Sequence, residues 1–573
     1  MNPSFHIIDF VIPGAANSGD SMAVRQMKLL GNMLGAEIDF VILGIYAVLL
    51  VGVGLWVSRT KKGQTKTAED YFLASKALPW WAIGSSLIAA NISAEQFIGM
   101  SGSGFAGGLA IASYEFMAAL TLIIVGKFFL PVFIKQGIYT IPEFVEKRFS
   151  TNLKTILAVF WIALFLFVNL TSVLFLGGKA IDTIVGVGDG SMVIPAIIAL
   201  ALFAAAYSLY GGLSAVAWTD VIQVALLVIG GVITTIVALH YVTPDGGIMN
   251  GISHIADVAA DKFDMVLSRD NKEFNNLPGI YVLIGGLWVA NLYYWGFNQY
   301  IIQRTLAAKS LKEAQRGIAF AAFLKMLIPF IVVIPGIVAW VMFSEDLHGA
   351  KNAFEIAGST ALNNDNAYPW LISTFIPVGV KGLVLAALAA AIVSSLASML
   401  NSTSTIFTMD IYKPYINQAA SQTKLVNVGR LTAGIALIIA VLLAPLLGGI
   451  DQMFQYIQEY TGLVSPGILA VFLMGLFWKK ATNKGAIWGI LSSIPVALIF
   501  KLLPLEMPFM DQMFYTCIIT IAVIFMVSLS SCPTDDDPKA IKLTADMFKT
   551  DKVFNICAYI ICILLAVIYT VFF

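Results

Sequence analysis

Apolar runs long enough to cross about 30 Å of hydrocarbon recur along the whole chain, and nothing else in it limits the fold as much. A segment in lipid must satisfy its own backbone groups, so runs of this length and composition point to membrane-spanning helices. Fourteen spans are expected, at residues 38–57, 79–103, 107–134, 153–178, 191–209, 215–242, 279–302, 317–343, 379–408, 427–447, 450–475, 485–503, 512–531 and 553–573. Only 12% of the 573 residues are charged, against about 25% in a soluble domain, so most of the surface faces a lipid bilayer. The expected class is an all-α integral membrane protein.

The basic residues orient these spans, because cytoplasmic connections collect Lys and Arg. Connections after odd-numbered spans hold 23 of the 34, and those after even-numbered spans hold 7. Odd-numbered spans therefore end in the cytoplasm, and both termini lie outside. Arg25 and Lys28 precede the first span, while Lys127 and Lys325 fall inside spans. A lysine at mid-bilayer costs about 2.5–3.5 kcal/mol, so each needs a partner, a wet cavity or a route to the interface. Lys127 is close enough to the cytoplasmic end to snorkel; Lys325, in AAFLKMLIPF, is expected to have a functional role. Residues 1–37 carry no long apolar core and no cleavage site of a signal peptide. They are expected to be an N-terminal extension, either disordered or mis-started ahead of Met33.

Several function classes are disfavoured. With 34 basic and 34 acidic residues the chain lacks the basic excess that nucleic acid requires. Cys517, Cys532, Cys557 and Cys562 form no CxxC pair, and His6, His240, His254 and His348 form no HExxH, so neither a metalloenzyme nor a disulfide scaffold is indicated. A GxxxxGK[ST] loop is missing, and the longest hydrophilic connection is 243–277, which argues against an ATP-driven pump. No activated nucleophile is evident, so the chain is not expected to be an enzyme.

Three spans depart from plain Leu/Ile/Val/Ala sequence. Span 2, PWWAIGSSLIAANISAEQFIGMSGSGF, places Asn91, Ser93, Glu95 and Gln96 in mid-bilayer. Such a cluster is costly unless the helix is interrupted and its freed backbone lines a cavity. Span 7 matches it, with Asn291, Tyr293, Tyr294, Trp295, Gly296 and Asn298 at its centre. Interrupted helices at corresponding places in two halves point to a binding site at the midplane. Spans 2 and 7 are five apart, which fits two inverted repeats of five spans, 79–242 and 279–475. A peripheral helix at 38–57 and three peripheral C-terminal helices in 485–573 remain outside them.

Span 9, LVLAALAAAIVSSLASMLNSTSTIF, sets Ala391, Ser394, Ser395, Ser398, Ser402 and Thr405 on one helical face. Small hydroxyl residues serve as packing glue between helices. Beside a broken helix, hydroxyls and freed carbonyls also supply the hard, neutral oxygens that suit a sodium ion. Glu115, beside Tyr114, lies inside span 3, and Asp220 opens span 6. Phe454 and Gln458 are one turn apart on span 11, where an aromatic face beside an amide suits a pyranose ring.

The runs LIAANISAEQFIGMSGSG, YTIPEFVEKRF, YSLYGGLSAV, LIGGLWVANLYYWGFNQYIIQRTLAAKS, LAAAIVSSLASMLNST and FQYIQEYTGLVSPGILAVF are similar to those of the sodium:solute symporter family, with likeness from about Glu37 to Phe573. The resemblance implies a LeuT-like fold of fourteen helices with discontinuous spans. It implies a sodium site of the Ala89, Ile92 and Ala391 carbonyls with the Ser394 and Ser395 hydroxyls. It implies that Gln96, Glu115, Asn291, Lys325 and Gln458 meet sugar hydroxyls, that Tyr294 stacks on the ring from the cytoplasmic side, and that Met100, Tyr114 and Phe454 close the outside. Asn91, Trp295, Asp220 and Ser398 would support the gate or the ion path. Ala118 departs from the family pattern, which has a sugar-contacting serine there. The expectation is a sodium-coupled symporter importing a neutral hexose, galactose or glucose, in a bacterial inner membrane. A sodium symporter of the same fold for an amino acid or vitamin, and a membrane sodium or sugar sensor, stay open as alternatives.

Overall fold

The computed structural model describes residues 22–59, 66–185, 190–356, 362–448, 450, 452–503, 507–531 and 536–573. Its secondary structure is helical throughout, apart from two isolated bridges. Eleven helices among the described residues are long and apolar enough to cross a membrane, and Met453–Gly462 with Ser465–Phe477, bent by 48°, make a twelfth. That is eleven or twelve where fourteen were expected: Trp80–Asn91 and the pieces of span 7 are each too short to cross alone, and the second piece of span 2 runs on into Glu95–Gln136. The helix of span 1 begins at Met22, well ahead of residue 38, and runs to Val57. Residues 1–21 of the expected extension lie outside the described residues.

Each break has a local cause. In span 2 the helix Trp80–Asn91 ends at Ile92, whose backbone is extended (φ −81°, ψ 107°). The Ser93 N–H donates to Gln96 Oε1 at 2.9 Å, and the Glu95 N–H donates to Ser93 Oγ at 3.0 Å. Short polar side chains thus satisfy backbone groups that a continuous helix would have paired. The chain resumes as Glu95–Met100 and Ser101–Gly107, then turns at Gly108. Gly108 has φ +76°, and a Cβ there would lie 2.2 Å from the Lys262 carbonyl oxygen, so only glycine fits. Span 7 consists of Ile280–Ile284, Gly286–Phe297 and Gln299–Leu306, with extended backbone at Asn298. Span 11 breaks just before Pro466, which has no N–H to give to a helix.

Span 9, Val380–Ile406, forms the centre of the packing. Its most apolar window is 94% buried, against 17% for the first and the last span, which face lipid. Glycines let other helices come close: a Cβ on Gly336 of span 8 would lie 2.1 Å from the Ser101 carbonyl oxygen of span 2.

Among the basic residues assigned from sequence to connections, Arg148 and Arg304 are buried in short helices. Hydrophobic length misplaces them, because each lies just beyond an apolar run yet is enclosed by neighbouring helices. Arg148 donates to the carbonyls of Gly475 (2.9 Å) and Ala481 (2.8 Å) and pairs with Asp537 (3.2 Å). A cation therefore takes up backbone acceptors around the C-terminal end of Ser465–Phe477. Replacing it by Met leaves those acceptors unpaired, and Arg148→Met is expected to cost about 3–5 kcal/mol. A lowered thermal midpoint of the detergent-purified protein will register this; an unchanged midpoint contradicts it.

Candidate functional site

The broken spans 2, 7 and 11 enclose a cavity of about 50 Å³ together with spans 3 and 8. All six residues expected to meet sugar, Gln96, Glu115, Asn291, Tyr294, Lys325 and Gln458, line it, as do Asn91, Trp295 and Ala118. Glu95, read from sequence as part of the polar cluster of span 2 but given no role, lines the same wall, and sequence reading missed Thr461, Ser465 and Met513 there. Met513 comes from a C-terminal span, and nothing in its local sequence marks it.

The one lysine of the cavity is paired. Lys325 donates to Glu115 in a pair buried at 1% and 4% side-chain exposure, and its ammonium lies 5.2 Å from the centroid of the Trp295 ring. Each ion is tolerable there only because the other is present. Several neutral groups have no partner within the protein: Asn91 Oδ1, Asn291 Nδ2 and Ser465 Oγ all lack a hydrogen bond, as does Glu95 Oε1. Buried polar atoms are normally paired, so donors and acceptors left open around one cavity mark it as a place for a polar guest.

Within the cavity wall the Tyr114 and Phe454 rings meet edge to face, 5.1 Å between centroids. Met100 is fully buried and does not line the cavity. Elsewhere in the wall, Asn91 Nδ2 donates to Tyr294 Oη at 2.9 Å, and Tyr300 Oη donates to the same oxygen at 2.5 Å.

The five residues expected to hold sodium are all fully buried. Ser395 Oγ donates to the carbonyl of Ala90 at 3.0 Å, which sets span 9 against the end of the first span 2 helix. Ser394 Oγ donates to Asp220 Oδ1 at 2.5 Å, and Ser398 Oγ donates to the Ser394 carbonyl at 2.6 Å. A hydroxyl that gives its proton away keeps its lone pairs for a cation, so Ser394 and Ser395 fit a hard ion such as sodium. Lower on the stripe, Ser402 donates to Gln303 and Thr405 accepts from it, which is helix packing. Asp220 also accepts from Ser86 and faces Arg304 at 3.4 Å. Sequence reading missed Ser86, Tyr300 and Arg304; ending span 7 at residue 302 put Arg304 in a loop, whereas the helix continues to Leu306.

A sodium/glucose cotransporter of Vibrio parahaemolyticus is 65% identical over 538 residues, covering 93% of the chain and 98% of the relative. Human sodium/myo-inositol cotransporter 2 is 33% identical over 480 residues, 80% of the chain and 69% of the relative. A solved Na+-coupled sialic acid symporter, in a substrate-bound outward-open state, superposes with a TM-score of 0.74 at 26% identity, covering 86% of the chain and 97% of that structure. The sodium:solute symporter family model matches residues 71–492, well over half of the chain. The chain belongs to the sodium:solute symporter family.

Proposed function

We propose that the protein is a sodium-coupled secondary active symporter that imports a neutral hexose, galactose or glucose, across a bacterial cytoplasmic membrane by alternating access. The observation that carries this reading is a cavity whose one lysine is already paired with a carboxylate, while amide and hydroxyl groups stand open toward the guest. A carboxylate substrate would want an unpaired cation there, and Lys325 is paired with Glu115. That favours a neutral polyol over an amino acid. The family and the Vibrio relative's name support a sodium-driven sugar carrier.

In this reading the chain crosses the membrane fourteen times, with repeats at 79–242 and 279–475 and both termini outside. Sodium enters between the break of span 2 and Ser394 and Ser395 of span 9, and holds that break in the shape that presents Asn91 and Gln96. The hexose then binds Gln96, Glu115, Asn291, Lys325 and Gln458, with Tyr294 beneath its ring. Met100, Tyr114 and Phe454 close over it, and release follows displacement of Tyr294. Each sodium ion moving inward through 100 mV supplies about 2.3 kcal/mol, roughly a fifty-fold concentration ratio for a neutral sugar. Ala118 removes one neutral hydrogen bond worth about 0.5–1.5 kcal/mol relative to the family pattern, which weakens sugar affinity or alters epimer preference.

Two substitutions test the reading in proteoliposomes. Ser395→Ala is expected to abolish sodium stimulation of galactose uptake while the protein stays folded; uptake with an unchanged sodium dependence overturns the ion site. Gln458→Ala should raise the KM for galactose about two- to tenfold, the worth of one neutral hydrogen bond, with the sodium requirement kept. An unaltered KM would count against the sugar site.

A further inference from the structure

The candidate ion site and the Tyr294 end of the cavity are joined by two sets of hydrogen bonds that share Tyr300, a residue given no role so far: its backbone carbonyl accepts from Arg304 and its hydroxyl donates to Tyr294. Arg304 is completely enclosed, on the Gln299–Leu306 helix that forms the inner part of span 7. Its Nε donates to Ser86 Oγ at 2.7 Å and to the Ser86 carbonyl at 3.0 Å. One terminal nitrogen donates to Ser398 Oγ and faces Asp220 at 3.4 Å; the other donates to the carbonyl of Tyr300, one turn back on the same helix. Arg304 thus ties three helices together around Asp220, the carboxylate that accepts the hydrogen bond of Ser394. Tyr300 presents its hydroxyl at the opposite end of this arrangement, donating to Tyr294 Oη at 2.5 Å, while Asn91 donates to the same Tyr294 oxygen.

We propose that Arg304 and Tyr300 are positioning residues that carry occupancy of the ion site to Tyr294, with the Tyr300 hydroxyl as the final link. The inference rests on the reading of Ser394 and Ser395 as sodium ligands and of Tyr294 as the inner gate. Asp220 is one carboxylate beside two positive charges whenever sodium sits at Ser394, and beside Arg304 alone when sodium has gone. A guanidinium is a rigid fork that holds its partners by direction as well as charge, so a change in its hold on Asp220 is felt by the helix that carries it. Asn298, with extended backbone, separates that helix from Gly286–Phe297, so the inner segment shifts without the outer one. Moving it withdraws the Tyr300 hydroxyl from Tyr294. Sodium departure thereby loosens the Tyr294 end of the cavity, and sodium binding secures it.

Tyr300→Phe deletes one oxygen and keeps the ring, which packs edge to face on Phe165 at 5.4 Å and on Tyr294 at 5.7 Å. Purified variant and parent are compared in proteoliposomes by radiolabelled sodium binding and by galactose uptake with and without sodium. The expected result is unchanged sodium binding together with a ratio of sodium-dependent to sodium-independent uptake lowered about two- to tenfold. An unaltered ratio overturns the proposal. Loss of sodium binding also overturns it, since that is the mark of a merely structural residue. If Tyr300→Phe does not fold, Arg304→Lys, which keeps the charge and loses the fork, is read in the same way. Ser395→Ala in parallel separates the two levels: if it leaves sodium stimulation intact, the ion site itself is misplaced. If it abolishes stimulation while Tyr300→Phe keeps the parental ratio, the relay alone is wrong.

Discussion

Everything in this molecule depends on how its backbone is satisfied where span 2 stops being a helix. In lipid a free N–H or C=O has no water to turn to, so an interruption survives only if side chains or a guest take over. Ser93 and Gln96 do so within the segment, and Ser395 of span 9 takes the Ala90 carbonyl from outside. A polar cluster that would be a defect in an ordinary span becomes a structural joint. The cavity, the serine stripe and the tyrosine pair are all arranged around it.

Much of this was legible in the sequence, because the physics that permits a broken span also restricts its residues. Asn91, Ser93, Glu95 and Gln96 are too expensive for an intact helix, and the crowding around Asn291 and Tyr294 repeats the signal in span 7. Small-polar periodicity on span 9 named the hydroxyls that now lie against the break. What stayed hidden follows equally physical lines. Met513 and Ser465 reach the cavity through helix packing that no local pattern encodes. Arg148 and Arg304 look like ordinary cytoplasmic charges, since a rule that sorts residues by hydrophobic length cannot see a short helix folded back into the protein.

The buried charges share a logic. Lys325 meets Glu115, and Arg304 faces Asp220, each pair bridging helices far apart in sequence. Such pairs add little net stability, because desolvation offsets attraction, yet losing either partner is costly. They specify which helices must be neighbours. An apolar interface would tolerate sliding; an ion pair of fixed geometry does not.

The ring contact in the cavity wall differs in kind from these pairs. Tyr114 and Phe454 touch by an edge-to-face contact, and such a contact is worth about 0.5–1.5 kcal/mol beyond the area it covers. Both rings are also buried, so parting them uncovers apolar area as well. A contact of this kind can still slide or part without leaving a polar group unpaired, whereas any rearrangement of the hydrogen-bonded residues around Tyr294 strands a donor or an acceptor.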